Sequence, residues 1–299
     1  MPKLSENMLG AVLMVGSMTS FTVNDAFMKA LSDELPLFQA LFLRGVGTSL
    51  MLLALALALR QFTLAIPHRD WLWIGLRTCA EMGAAYFFIS ALFNMPIANA
   101  TAIIQALPLT VTLAGAVFLG EAVGWRRFLA IVIGFCGVLL VVQPGGDGFN
   151  IYSLYVLAAV GCVTVRDLVV RRLSARVPSL LTAFAAALGV CLFAGVGSLT
   201  EDWMPLSVTS GGQLLGSMIS IIGGYVFSVS AMRHGEISFV APFRYVSLVA
   251  ALLLGWFVFD HWPDGLTLLG AAIIVGMGLF TLYRESLARR APGPKAERL

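Results

Sequence analysis

Arg44, Glu81 and Arg244 stand well inside long apolar runs of the chain, and Asp25, Arg77, Arg166 and Asp167 stand nearer the ends of such runs. If those runs cross a lipid bilayer, each ionised side chain costs about 2.5–3.5 kcal/mol on insertion scales, so each needs a partner, a water-filled cavity or a function. Arg244 follows Pro242 and is flanked by Tyr245 and Ser247. A guanidinium in that setting can clamp a carboxylate or ring carbonyl with its planar fork of donors, and the competing reading is an ion pair with Glu81 or Asp167. Glu81 could bind a cationic part of a solute or take part in a proton-coupled cycle; Arg77, four residues earlier on the same helix face, offers plain neutralisation instead. Arg44 has no acidic neighbour on its own run, and Asp25 or Glu81 is its expected ion-pair partner.

The elements that hold these groups follow from composition. Of 299 residues, 59% are hydrophobic and 12% charged. A soluble domain carries roughly 25% charged residues, so a water-facing surface cannot be built from this inventory. Crossing the hydrocarbon core takes about 20 apolar residues as a helix. Ten runs qualify, at about 8–30, 36–59, 71–93, 97–119, 126–143, 151–171, 179–199, 211–232, 237–259 and 265–284, with ends good to a few residues. The runs are continuous rather than alternating with period two, which favours helices over a barrel. The expected fold is therefore an all-α integral membrane bundle of ten transmembrane helices.

Basic residues are retained on the cytoplasmic side. With the N-terminus inside, that side holds Lys3, Arg60, Arg69, Arg126, Arg127, Arg171, Arg172, Arg176, Arg233 and the tail from Arg284. The opposite loops hold Asp33, Glu34, Asp147, Glu201, Asp202, Asp260 and Asp264. The expected topology is N-in/C-in, multi-pass. Cys79, Cys136, Cys162 and Cys191 lie singly in apolar runs without CxxC spacing, so they predict neither a disulfide framework nor a metal site. The apolar segment from Met8 runs into Asn24 and Asp25 without a small-x-small cleavage site and is expected to be a retained helix.

Internal similarity organises the spans into two halves. NDAFMKALSDELP (24–36) resembles RDLVVRRLSARVP (166–178), so that Asp25 meets Asp167, Lys29 meets Arg171 and Pro36 meets Pro178 at a constant offset of 142. The segment 84–108 aligns with 223–247 at an offset of 139, pairing Tyr86 with Tyr225 and Gln105 with Arg244; Glu121 then meets Asp260. Five helices per half is an odd number, so the second half inserts upside down, and such inverted repeats place a substrate site at the repeat interface near the midplane. The expected division is 1–146 for the first repeat, 147–285 for the second and 286–299 for a cytoplasmic tail.

The paired halves, with ALPLTVTLAGAVFLGEAVGWRRFLAIVIGFCGVLLVV (106–142), resemble the drug/metabolite transporter superfamily, EamA type, over essentially the whole chain. NDAFMKALS and APFRYVSLVAALLLGWFVFDHWPDGLTLLGAAIIV (241–275) are similar to the S-adenosylmethionine uptake carriers of that superfamily. Its riboflavin carriers are not separated by these motifs. The second half reads Phe259-Asp260 where the first has Gly120-Glu121, a departure that keeps the acid but weakens the motif.

The resemblance implies a secondary carrier for a small polar solute, heteroaromatic or zwitterionic, working by alternating access, with amino-acid or drug export as the alternative. Expected substrate contacts are Arg244, Gln105, Glu81, Tyr86, Tyr225 and Tyr245; the tyrosines can stack on a planar ring, and helix packing is their competing role. Asp25 with Lys29 and Asp167 with Arg171 are i,i+4 pairs repeated in both halves and read as gates or end-locks, with Arg44 as a further ion-pair former. Glu121 and Asp260 are expected to cap helices or anchor them to one another. Close helix approach is expected at Gly115, Gly120, Gly134, Gly137, Gly270, Gly276 and Gly278, and kinks at Pro96, Pro108 and Pro242.

No cofactor, metal or nucleic-acid partner is expected; the partners are solute and lipid, with proton coupling and a monomer or homodimer left open. His68, His234 and His261 fall outside the spans, and neither HExxH nor GxSxG occurs, which argues against an intramembrane enzyme. A P-loop is absent, which argues against an ATP-driven pump, and no filter-like loop suggests a channel.

Overall fold

The computed structural model describes residues 6–63, 66–121, 123–146, 149–174, 176–234 and 236–290; Lys3, Asp147 and the tail beyond 290 lie outside them. Among the described residues there are helices and no strand. They are α1 (Glu6–Ala30), α2 (Leu37–Ala58), α3 (His68–Asn94), α4 (Ile97–Ile104), α5 (Leu107–Leu119), α6 (Trp125–Val142), α7 (Tyr152–Val170), α8 (Ser179–Gly197), α9 (Val208–His234), α10 (Ile237–Val240), α11 (Val246–Phe259) and α12 (Gly265–Arg290). The last helix runs past Arg284, the expected end of the final span.

Eight segments are long and apolar enough to cross a bilayer. The two expected spans that miss this standard, α1 and α3, are not short: 25 and 27 residues give about 38 and 40 Å at 1.5 Å per residue. Their polar groups lower their hydropathy, Asp25 and Lys29 in α1 and Asp70, Arg77 and Glu81 in α3. Both are packed among other helices: α1 against α9 and α11, α3 against α7 and α8. The remaining principal pairings are α2 with α8 and α6 with α12.

Two expected spans are broken part-way. The run 97–119 divides into α4 and α5 at Gln105-Ala106, and the run 237–259 divides at a 3-10 stretch, Ala241–Tyr245. Pro108 and Pro242 sit at these breaks, where a residue without an N–H cannot continue the ladder of i to i−4 bonds. At the first break the Ala106 amide instead donates to the Ile103 carbonyl at 3.0 Å, a tighter turn.

The main apolar core lies towards one end of the bundle. Its buried residues include Met28 near the end of α1 and Leu31 just after it, Ala40 and Leu41 at the start of α2, Ala91 and Leu92 at the end of α3 and Ile97 and Ile103 in α4. Val141 and Val142 at the end of α6 and Ala271 and Ile274 in the early part of α12 belong to it too. Near the end where α1 begins, the buried cluster is small: Met14, Ala231 and Val240, with Leu13, Met18 and Phe243 against them.

The glycine expectations divide. Gly137 and Gly270 face each other so closely that a Cβ on Gly270 would stand 2.5 Å from the Gly137 carbonyl oxygen, so α6 and α12 meet backbone to backbone. Gly276 has open space around it and mediates no such approach. Gly120, at φ 68°, serves instead as the left-handed C-cap of α5.

Candidate functional site

A cavity of about 60 Å³ opens where α2, α3, α8 and α9 meet. Helical periodicity builds each wall from residues four apart: Arg44 and Thr48, Glu81 and Ala85, Ala186 and Val190, Ile221 and Tyr225. The alanines of α8 leave the space, and the three other helices supply the polar groups. Arg44 is 8% exposed, and among the described residues it makes no hydrogen bond and has no carboxylate within ion-pair reach. Asp25 and Glu81 are the carboxylates whose fields bear on it. The expectation that Arg44 closes a direct ion pair is therefore corrected: its guanidinium lines the cavity.

Glu81 is differently placed. Arg166 Nη1 stands 3.4 Å from each of its carboxylate oxygens, and Arg77 Nη2 is 4.0 Å away. Arg166 also donates from Nε to Asp167 at 2.9 Å, and Arg77 donates from Nη1 to the Thr182 carbonyl at 2.9 Å. These contacts run from α8 through α3 to α7 along one side of the cavity. The anticipated Arg77–Glu81 contact is present, but Arg166 is the nearer cation. Arg166 was not among the expected site residues; its signal in the sequence was a charge next to Asp167 at the end of an apolar run.

The two tyrosines paired by the repeat go to different places. Tyr225 lines the cavity and meets Phe21 edge-on with ring centroids 5.5 Å apart. Tyr86 belongs to an aromatic cluster, stacked on Phe38 at 5.7 Å and near Phe87, Tyr155 and Phe193. Gln105 sits at the α4–α5 break with a buried Nε2 that has no partner. Arg244 is exposed in the 3-10 stretch and forms an ion pair with neither Glu81 nor Asp167. Tyr245 is buried beside Gly278, its hydroxyl without a partner. None of Gln105, Arg244 and Tyr245 lines this cavity.

The predicted i,i+4 pairs are not the ones formed. Lys29 donates to the carbonyls of Leu92 and Met95, at 3.0 and 2.9 Å, where the end of α3 leaves acceptors free, and lies over the Phe259 ring. Asp25 accepts from Asn24 Nδ2 at 3.0 Å. Arg171, beyond the last turn of α7, pairs with Glu121 across helices, while Asp167 takes Arg166. The anchoring role expected of Glu121 is thus met, and Asp260 forms the left-handed C-cap of α11 at φ 49°.

Residues 8–143 match the EamA-like transporter family. That match lies in the first half of the chain. Beyond that half, similarity runs through most of the chain. An S-adenosylmethionine uptake transporter of Rickettsia conorii is 27% identical over 274 residues, covering 91% of this chain and 92% of that protein. A pseudopaline exporter of Pseudomonas aeruginosa is 27% identical over 271 residues, covering 89% and 93%. A riboflavin transporter of Vibrio cholerae is 29% identical over 234 residues, covering 78% and 73%. A solved crystal structure shares the fold, with a TM-score of 0.65 at 21% identity over 94% of this chain and 99% of that one. Within the matched residues, α2 and α3 carry Arg44, Thr48, Glu81 and Ala85, so one side of the cavity is built by the matched segment and the other by α8 and α9. The chain is a multi-pass membrane protein, and the relatives it resembles are named as transporters.

Proposed function

We propose that this chain is a secondary carrier that moves a small polar metabolite across the bacterial inner membrane by alternating access between two inverted five-helix halves. The observation that carries this reading is the charged cavity at membrane depth, walled by α2 and α3 of one half and α8 and α9 of the other. Ionisable groups are retained in such a place where a polar solute or water must pass.

Several features support the duplication. The packing pairs exchange consistently when α1 is matched with α7 and α3 with α9: α1 packs on α9, α3 on α7, α2 on α8 and α6 on α12. Each half also has one broken span, with Gln105 and Arg244 at the two breaks. A cavity of about 60 Å³ holds a few waters rather than a metabolite. Loading a solute therefore requires the helices to part, and the thinly packed end, where α1 begins, is the end that parts with least loss of buried contacts. By the distribution of basic residues that end faces the cytoplasm. Gln105, Arg244, Tyr86 and Tyr245 act at the breaks and the aromatic cluster, meeting solute as the halves rock.

Reconstituted proteoliposomes test the reading by counterflow of radiolabelled S-adenosylmethionine and riboflavin. Saturable exchange of either supports uptake of that class. Efflux of amino acids with neither exchanged favours the export alternative, and no saturable flux of any of them sinks the carrier assignment.

A further inference from the structure

Two polar side chains of α2 line the cavity and have no partner in the protein. Arg44 is 8% exposed, and among the described residues its guanidinium makes no hydrogen bond and no ion pair. Thr48, one turn further along the same helix, is 5% exposed, and its buried Oγ1 has no hydrogen-bond partner. Glu81, the carboxylate on the cavity wall, is already taken: Arg166 Nη1 is 3.4 Å from both its oxygens and Arg77 Nη2 is 4.0 Å from one. Asp25 does not line the cavity and makes no ion pair with Arg44; its Oδ1 accepts from Asn24 Nδ2 at 3.0 Å. A buried guanidinium and a buried hydroxyl left without hydrogen bonds cost free energy that a bound acceptor restores.

Shape and charge narrow the choice of acceptor. The planar fork of a guanidinium matches the two oxygens of a carboxylate. One unpaired cation answers a single negative charge, whereas a phosphate dianion would call for a second, and Arg77 and Arg166 are engaged with Glu81. A volume of about 60 Å³ admits a small head group. The alanines of α8, with Val190 and Ile221, bring no competing donor or acceptor, and hydrogen bonds are stronger in such a poorly solvated place.

We propose that Arg44, assisted by Thr48, forms a subsite for a carboxylate of the transported solute. The guanidinium takes the two oxygens, and the Thr48 hydroxyl donates to one of them. The rest of the solute occupies the space that opens as the helices part. The proposal rests on the carrier reading for the source of its ligand, and within that reading it selects organic acids over neutral solutes such as a flavin.

The test follows thermal unfolding of the purified full-length chain in detergent, at neutral pH and constant ionic strength, with probes paired so that one member lacks the carboxylate. The pairs are acetate with acetamide, benzoate with benzamide, L-methionine with L-methioninamide, and S-adenosylmethionine with its decarboxylated analogue. At least one acid is expected to raise the midpoint saturably, with an apparent affinity at least about tenfold above that of its partner. Arg44→Gln should erase that difference, and Arg44→Lys, which keeps the charge but not the fork, should reduce it. Thr48→Val should weaken the acid roughly threefold, the loss of one neutral hydrogen bond. An arginine that serves only as a structural counter-charge would leave acids and their partners indistinguishable, which overturns the subsite; so does an acid preference that survives Arg44→Gln. Should that variant fail to fold, a preference undiminished in Arg44→Lys overturns it instead. Acid-selective binding that needs Arg44, with no flux of any solute in proteoliposomes, overturns the carrier reading and leaves the subsite standing. Saturable flux without acid preference does the reverse.

Discussion

Arg166 Nη1 lies 3.4 Å from both carboxylate oxygens of Glu81, which ties α7 to α3 beside the cavity. The two side chains are 24% and 19% exposed, so neither is fully hydrated. Removing one charge leaves the other with fewer partners in a poorly solvated place. Glu81→Gln or Arg166→Gln alone is expected to cost about 1–3 kcal/mol, and the double substitution less than the sum of the two. Thermal unfolding of the four proteins in one detergent checks this; additive losses would mean that the contact contributes nothing specific.

The open volume of the cavity depends on small side chains from α8. Ala187→Phe places an aromatic ring in a space of about 60 Å³, and overpacking of this kind typically costs 1–3 kcal/mol. Solute flux is expected to fall at least about tenfold while the protein stays folded, because the blocked volume is where α8 and α9 meet α2 and α3. Flux unchanged by a folded variant would place the pathway elsewhere.

Lys29 joins α1 to the terminal carbonyls of α3 at the densely packed end of the molecule. Lys29→Met keeps much of the stem and removes the three donors. A cysteine substituted for Ala102, 1% exposed in the native packing, is expected to react several-fold faster with a membrane-impermeant maleimide in the Lys29→Met background. Equal labelling with and without Lys29 would show that the apolar core alone closes this end.

Asp264 precedes α12 and caps it: its carboxylate accepts from the Thr267 amide at 2.8 Å and from Gln143 Nε2 at 2.6 Å. These hydrogen bonds from Thr267 and Gln143 hold its carboxyl below the usual carboxylate range. A group whose acidity is strengthened by folding contributes its full stability above its unfolded pKa, near 3.8, and loses it as pH falls through the lower folded value. Asp264→Ala is expected to lower stability by about 0.5–2 kcal/mol at neutral pH, with the difference from native shrinking below about pH 4. Melting curves of both proteins from pH 7 to pH 3 measure it; a difference that does not change with pH would assign the effect to packing.

The sequence by itself determined that the chain is a helical membrane protein with charges at depth, because hydropathy and charge content are sums over residues and need no coordinates. It also named Pro108 and Pro242, at which the two broken spans divide, since a missing N–H acts within one turn, whereas Pro96, named with them, only precedes α4 as its N-cap. Which charges meet was decided only by the tertiary structure. Asp25 with Lys29 and Asp167 with Arg171 have the spacing of ion pairs, yet Lys29 finds the free carbonyls of α3 and Arg171 finds Glu121. Tyr86 and Tyr225 correspond in the alignment of the halves, yet one is packed among aromatic rings and the other faces the cavity. Arg244 has the more suggestive neighbours in the sequence, yet Arg44 is the arginine that lines the cavity. An i,i+4 rule describes one helix in isolation, whereas a long charged side chain in lipid turns to whichever donor or acceptor the neighbouring helices present. The rotation and depth of each helix set that choice, and they follow from packing such as the Gly137–Gly270 contact of α6 and α12, on which the charges themselves carry no information.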